Sequence, residues 1–169
     1  MTKPVLVFGY GNESRGDDAL GVLILNYIET HFSLERIDLL TDFQLQIEHA
    51  LDLEQRELVL FVDASVKSDI AFEFTQLKPM RDISYTTHAI SPASVLDVYQ
   101  TMKKTIPPPC FLLAIGAESF ELGEGLSDNA KSNFAHATKL INDLLNNLTI
   151  GYWQMQCRQS CFSLKKEKL

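Results

Sequence analysis

Short apolar segments alternate with amphipathic segments along most of the chain. Four dense apolar runs are predicted as strands, and they cover residues 4–10, 36–41, 57–64 and 110–117. A fifth segment, 70–77, alternates apolar and polar residues, which is typical of a half-exposed or edge strand. The pattern therefore predicts a sheet of about five strands.

Between these strands, apolar residues recur at three- and four-residue spacing, which indicates helices. The predicted helices cover residues 17–31, 44–53, 91–104 and 127–148. Ser91 followed by Pro92 suits an N-cap and a first helical residue, and Ser127 is a second expected cap. Strands alternating with helices predict a three-layer α/β domain: one mainly parallel, twisted sheet with helices on both faces.

Composition fits one globular domain with a substantial core. The chain has 169 residues, of which 46% are hydrophobic, and a formal net charge of −7. Positive charge collects only near the end, so we expect a domain over 1–150 and a basic, solvated tail over 151–169. The negative charge excludes a broad nucleic-acid surface. No apolar run is long enough to span a membrane, so we expect a cytoplasmic protein with no membrane partner and, by default, a monomer.

The three cysteines do not suggest a disulfide framework or a zinc site. Their number is odd, and they form no CxxC pair. Cys157 and Cys161 are four residues apart, but no histidine or third cysteine is near enough in sequence to complete a zinc site. Reduced thiols in a reducing compartment are the expectation.

Glycine and polar residues follow several of the predicted strands. They are Gly9, Gly11, Asn12, Asp17 and Asp18 around the end of the first strand, Asp63 after the third, His88 before the third helix and Glu118 after the last strand. Because the carboxyl ends of parallel strands meet at one edge, we expect Asp18, Asp63 and His88 to lie close together. Two carboxylates and one imidazole form a ligand set suited to a divalent transition ion.

These residues also have purely structural interpretations. Asp17 and Asp18 suit the first turn of a helix, where the helix dipole favours acids. Asp63 directly follows five apolar residues, and an ionised acid there is costly to bury without a partner. The remaining histidines fall on predicted helices with no acidic strand end beside them, and we interpret them as structural or solvated: His31, His49 and His136.

Other kinds of site fit the sequence less well. A dinucleotide fingerprint starting at Gly9 would need glycine at position 14, where Ser14 stands, and adjacent acids would repel a pyrophosphate. Asp38 or Asp42 could in principle bind a ribose. No GxSxG nucleophile elbow is present, and Cys110 stands at the start of a predicted strand rather than at its end.

Together these segments resemble the maturation endopeptidases of nickel-iron hydrogenases. "VFGYGNESRGDDALGV" is similar to the family's opening loop, "LFVDAS" to a ligand-bearing strand and "TTHAISPASVL" to its histidine loop. "LLAIGAESFELGEGLSDNA" is similar to the last strand and the start of the closing helix, so the resemblance covers about residues 4–148. After the second strand the family often has a glycine-rich stretch, whereas this chain reads "TDFQLQIEHALDL".

The resemblance implies an activity and a set of site residues. The enzyme would remove a short C-terminal extension from the hydrogenase large-subunit precursor after nickel insertion. It would recognise nickel carried by that precursor, with no organic cofactor, through Asp18, Asp63 and His88, and one carboxylate could act as a base. The expected substrate contacts are Gly9, Gly11, Asn12, Asp42 and Gln44. The alternative functions are a non-catalytic nickel carrier or chaperone and, with less support, a Rossmann-like nucleotide-binding protein.

Overall fold

The computed structural model describes residues 1–67, 69–82 and 89–166, with side chains through Arg158. Its five strands are β1 (Val5–Tyr10), β2 (Ile37–Asp42), β3 (Leu58–Ser65), β4 (Phe72–Gln76) and β5 (Cys110–Gly116). They form one sheet in the order β2-β1-β3-β5-β4. All neighbours pair in parallel except β4, which is antiparallel to β5 and lies at the edge. The predicted sheet and its half-exposed edge strand are confirmed.

The described residues also form four α-helices and two 3₁₀ helices. The α-helices are α1 (Leu20–His31), α2 (Pro92–Lys103), α3 (Asp128–Asn146) and α4 (Ile150–Lys166), and the 3₁₀ helices are Gly16–Ala19 and Ile47–Leu53. Both predicted caps are confirmed. Ser91 Oγ accepts a hydrogen bond from the Ser94 amide, and Ser127 Oγ accepts one from the Ala130 amide, each at 3.1 Å.

The sheet separates two hydrophobic cores. Val5 and Val7 of β1 belong to a core that includes buried residues of α1 and α3, whereas Leu6 and Phe8 belong to a core with α2 and the second 3₁₀ helix. Successive residues of a strand point to opposite faces, so this division shows that both faces of the sheet are covered. The three-layer arrangement predicted from the sequence is confirmed.

Helix α1 lies unusually close to the sheet because glycines face each other across the contact. A Cβ on Gly9 would lie 2.4 Å from the Gly21 carbonyl oxygen, and one on Gly21 would lie 2.7 Å from the Val62 carbonyl oxygen. Any larger residue would push the helix away from β1 and β3. Gly9 was predicted to contact substrate, but it is buried beneath α1, so its position indicates a packing role instead.

The predicted helix over 44–53 is instead the shorter 3₁₀ helix Ile47–Leu53. Its three-residue repeat directs Ala50 and Leu53 into the core. Ile47 and Leu51, which an α-helical pattern would place on the apolar face, are 57% and 55% exposed. The apolar residues of this segment follow the three-residue period of a 3₁₀ helix rather than the 3.6-residue period of the predicted α-helix.

The segment predicted as a solvated tail begins as helix α4, and its first turns pack on the domain. Trp153 is fully buried between Phe74 of β4 and Phe111 of β5, with ring-centroid distances of 6.4 Å and 5.3 Å. Its Nε1–H donates to the Leu144 and Asn147 carbonyl oxygens, each at 3.0 Å. Solvation is therefore wrong for this part of the segment, while a domain boundary at residue 150 stays a prediction. No helix among residues 1–67, 69–82 and 89–166 could cross a membrane.

Replacing Trp153 with alanine should destabilise the whole domain by about 3–5 kcal/mol, because a large buried ring and two hydrogen bonds are lost. Urea unfolding followed by circular dichroism measures this change; the chain has one tryptophan, so its fluorescence is lost in the variant. Met155→Ala is the matched control, since Met155 lies on the same helix and is 44% exposed. Equal stability of the two variants would contradict the packing role of α4.

Candidate functional site

The candidate site lies where the strand order reverses. From β1 the chain moves outward to β2 and then returns to β3 on the other side of β1. In open α/β sheets, such a reversal leaves a crevice at the carboxyl ends of the two central strands. Here those ends carry Tyr10 and Gly11 after β1, and Asp63 near the end of β3. The loop after β1 then leads directly into the 3₁₀ helix that contains Asp18.

Asp18 is held at this crevice by the glycine loop. Its Oδ2 accepts a hydrogen bond of 2.7 Å from the Asn12 backbone N–H. Gly11 makes the close approach possible: its φ is +138°, and a Cβ there would lie 2.1 Å from the Asp18 carbonyl oxygen. Only glycine adopts this conformation without strain. The glycine of the opening loop therefore lets the backbone lie against Asp18, while the predicted substrate contact of Gly11 stays a prediction.

Asp63 occupies a far less favourable environment for negative charge. Burial raises its pKa from 3.8 to about 7, against the lowering effect of hydrogen bonds from the Ala64 amide and the Tyr10 hydroxyl, and the nearby Asp18 charge raises it further. The Ala64 N–H lies 2.8 Å from Asp63 Oδ1. The influence of one carboxylate on the other indicates that they share a neighbourhood. A pair of this kind is completed by a proton or a cation.

Asp17, next to Asp18 in sequence, has a structural role. Its side chain is fully buried and accepts hydrogen bonds from the backbone N–H groups of Glu118 (2.8 Å), Ser119 (3.3 Å) and Ser127 (2.7 Å) and from Ser127 Oγ (2.8 Å). Desolvation is the largest influence on its pKa and raises it, but these hydrogen bonds together leave the pKa below 3.8. Asp17 thus fastens the loop after β5 to the loop after β1. Glu118, also a strand-end candidate, contributes its backbone here and exposes its side chain.

A cleft of about 730 Å³ opens at Gly11 and Asn12, on the loop that leads to Asp18, although neither Asp18 nor Asp63 lines it. Three of the predicted substrate contacts line it: Gly11, Asn12 and Asp42. Phe43 and Leu122 also border the cleft, and their side chains are 71% and 70% exposed. Gln44 is exposed and does not line it. The cleft therefore combines backbone groups and two carboxylates, those of Glu13 and Asp42, with two exposed apolar side chains.

His49 is a polar neighbour of the site that sequence reasoning missed. It was interpreted as structural or solvated with no acidic strand end beside it, but its Nε2 lies 3.1 Å from Oδ2 of Asp42, the last residue of β2. The expected absence of an acidic neighbour was wrong, because the 3₁₀ helix turns back toward the strand that precedes it; a structural role fits the hydrogen bond from Gln46. The two residues are only seven positions apart in sequence, and this short separation was the available sign that their side chains could meet.

The predicted third metal ligand, His88, lies outside the described residues. Among the residues that are described, no three histidine, cysteine, aspartate or glutamate side chains form a group that could hold a metal ion. The three-residue ligand set therefore stays a prediction. Its two carboxylates have suitable chemistry. They would fill only some of the coordination positions of a divalent ion, so the ion could keep other ligands that it brings with it.

One observation weakens the dinucleotide alternative. Asp38, a candidate for binding a ribose, is paired with the Arg56 guanidinium and accepts a hydrogen bond of 3.1 Å from the Lys3 backbone N–H. Desolvation raises its pKa, but the Arg56 and Lys3 interactions outweigh it and lower the pKa below 3.8. Asp38 is therefore already engaged at the opposite end of β2 from the cleft.

Comparison with solved structures identifies the fold. The chain is similar to the hydrogenase maturating endopeptidase HybD from Escherichia coli, with 23% identity and a TM-score of 0.63 over 81% of this chain and 88% of that one. The NiFe hydrogenase maturation protease HycI from Thermococcus kodakarensis gives 23% and 0.63 over 86% and 94%. The chain has the hydrogenase maturation protease fold.

The same fold is found in a hydrogenase 2 maturation peptidase from a Thaumarchaeota archaeon, at 20% identity and a TM-score of 0.62 over 85% of this chain and 99% of that one. The sequence matches no protein-family model, and no curated protein matches it. The likeness to the maturation protease fold therefore comes from structure, together with the sequence motifs of the strand ends and loops. The fold predicted from the resemblance is confirmed.

Proposed function

We propose that this protein is an endopeptidase that removes the C-terminal extension of a nickel-loaded hydrogenase large-subunit precursor. The observation that carries the proposal is the pair of carboxylates, Asp18 and Asp63, at the switch point of a sheet with the maturation protease fold. The cleft at Gly11 and Asn12, on the loop that leads to Asp18, is open and has exposed apolar borders, as an extended peptide requires. Names of the similar structures support the choice of substrate.

Nickel belongs to the substrate in this proposal. The precursor delivers it, and Asp18, Asp63 and His88 complete its coordination with two oxygens and one nitrogen. Binding the ion would place the adjacent peptide against the cleft, so that cleavage depends on prior nickel insertion. Recognition and positioning are then supplied by one set of side chains.

Asp63 has the properties of a proton acceptor in this scheme. Because burial raises its pKa to about 7, its carboxylate can take a proton from water near neutral pH more readily than an ordinary aspartate. The Tyr10 hydroxyl donates a hydrogen bond to the same carboxylate and fixes its direction. The Asp18 carboxylate is oriented by the hydrogen bond that it accepts from the Asn12 backbone N–H.

Partners and location follow from the same proposal. We propose a cytoplasmic protein that acts on the precursor as a monomer, without nucleic acid or membrane. The net charge of −7 and the acidic balance of the domain support the exclusion of nucleic acid.

The test is incubation with nickel-loaded precursor, followed by mass spectrometry of the large subunit. We expect a discrete C-terminal loss, absent from the nickel-free precursor. An unchanged subunit mass together with transfer of nickel between the two proteins would identify the carrier instead. An unchanged mass without transfer would contradict both functions.

A further inference from the structure

The Asp42 carboxylate is fixed at both oxygens on the side of the cleft. Oδ1 accepts a hydrogen bond of 2.7 Å from the Phe43 N–H, and Oδ2 lies 3.1 Å from His49 Nε2. The side chain is still 37% exposed, so part of it remains accessible from the cleft. No lysine or arginine lines the cleft in the part of the chain that the structure describes. The carboxylate therefore presents free acceptor positions to whatever binds there.

His49 is itself held in one orientation. Its Nδ1 accepts a hydrogen bond of 2.8 Å from the Gln46 N–H, and the His49 backbone N–H donates to the Gln46 carbonyl oxygen at 3.1 Å. The Phe8 ring packs edge-on at a centroid distance of 4.7 Å. Because Nδ1 accepts, the hydrogen bonds assign the ring proton to Nε2, which donates to Asp42. A neutral imidazole orients this carboxylate without cancelling its charge.

The oriented carboxylate is connected to the candidate catalytic pair through a short stretch of backbone. The Gly11 N–H donates to the Asp42 carbonyl oxygen at 3.0 Å, and the next residue, Asn12, donates to Asp18. Gly11 and Asn12 line the cleft together with Asp42, so a peptide bound there lies against the loop that leads to Asp18. Phe43 and Leu122 also line the cleft and provide apolar surface.

We propose that His49 is a positioning residue that holds Asp42 as the acceptor for an N–H donor of the bound peptide. The donor is either a cationic side chain or a main-chain amide, since both present N–H groups to a carboxylate. The identity of the peptide rests on the proposed function, but the binding itself does not depend on nickel or on cleavage. Apolar residues beside the donor pack against Phe43 and Leu122.

The probe is a capped hexapeptide with one central lysine among alanine and leucine residues. Two analogues separate the sources of the donor: norleucine in place of lysine removes the charge, and N-methylation removes the central main-chain donors. Binding to the full chain without nickel is followed by ¹⁵N NMR. We expect shifts centred on Asn12, Phe43 and Leu122, and loss of binding with one of the two analogues.

Variants then test the positioning role. His49→Phe keeps a ring against Phe8 but removes both side-chain hydrogen bonds, and Asp42→Asn removes the charge. Each should raise the Kd of the lysine peptide about tenfold. His49→Gln, which can still donate to Asp42, should recover most of the affinity. Glu48→Gln is the matched control: Glu48 is exposed on the same 3₁₀ helix and should change binding less than about twofold.

Long-range ¹H–¹⁵N spectra supply a readout that general destabilisation would not move, because they report which ring nitrogen of His49 carries the proton. We expect the Nε2–H form in the wild-type protein. An Nδ1–H form, wild-type affinity in His49→Phe, or equal binding of all three peptides would overturn the proposal, and so would the absence of shifts at the cleft. Failure of precursor processing with intact peptide binding would instead reject the proposed enzyme while leaving this subsite in place.

Discussion

Asp63→Asn should reduce processing of the nickel-loaded precursor by roughly 10²–10⁴-fold, the usual contribution of a positioned acid or base. An amide cannot take the proton, and it is a poorer ligand for a divalent ion than a carboxylate. Mass spectrometry of the large subunit over time measures the rate. Asp143→Asn is the control, because Asp143 is an exposed acid on α3 and should process at the wild-type rate.

The same substitution should stabilise the metal-free protein at alkaline pH. The native state holds the Asp63 proton more tightly than the unfolded chain does, since burial raises the pKa from 3.8 to about 7. The wild-type free energy of unfolding therefore falls as pH rises from about 4 to 7. Asparagine carries no charge to bury, so the variant should be more stable by about 2–4 kcal/mol at pH 8 and by little at about pH 4.

Urea unfolding at these two pH values measures the difference. The combination of lost processing and gained stability separates a functional residue from a structural one. A variant that processes the precursor at the wild-type rate would remove Asp63 from the mechanism. A variant less stable than wild type at pH 8 would show that its charge is compensated in the native state.

Asp17→Asn should destabilise the protein, in contrast to Asp63→Asn. We expect a loss of about 3 kcal/mol in the free energy of unfolding and a thermal midpoint lower by roughly 10 °C. One carboxylate satisfies three backbone N–H groups and the Ser127 hydroxyl in a fully buried position. An amide would turn its NH₂ toward at least one of these donors. Buried donors left without acceptors are costly.

Asp18→Asn is the matched control for this prediction. Asp18 is only partly buried and accepts its hydrogen bond from Asn12 N–H, which an amide oxygen can also accept. We expect a stability change below about 1 kcal/mol, with processing reduced as in Asp63→Asn. Thermal unfolding of both variants decides the point. Similar stability losses in the two would contradict the division of labour between these adjacent acids.

Much of the fold was predictable because strand and cap signals are local. The apolar runs fixed all five strands to within a few residues, and Ser91 and Ser127 marked helix starts through hydrogen bonds to residues only three positions away. The 3₁₀ helix was missed because its apolar residues fit two helical periods. Helix α4 was not predicted because the basic residues of this segment are typical of a solvated tail. The aromatic residues that pack against Trp153 are distant in sequence.

The site was predictable in part for the same reason. Parallel strand ends meet at one edge, so the approach of Asp18 and Asp63 followed from topology, and the raising effect of the Asp18 charge on the Asp63 pKa agrees with it. The structural role of Asp17 and the site role of Asp18 could not be told apart from the sequence, because the two residues are adjacent and of the same type. They depend on a loop more than a hundred residues away. The His49–Asp42 contact likewise depended on where a short turn places its side chain.

The hydrogen bonds that Asp17 accepts from the loop after β5 have a consequence for folding during translation. Its most distant partner, Ser127, follows it by 110 residues. A nascent chain that has released β1, β2 and β3 from the ribosome can begin to collapse, yet the loop that carries Asp18 lacks this anchor until the start of α3 emerges. We therefore expect the loop that carries Asp18 to reach its final arrangement late in synthesis, after the start of α3 has emerged.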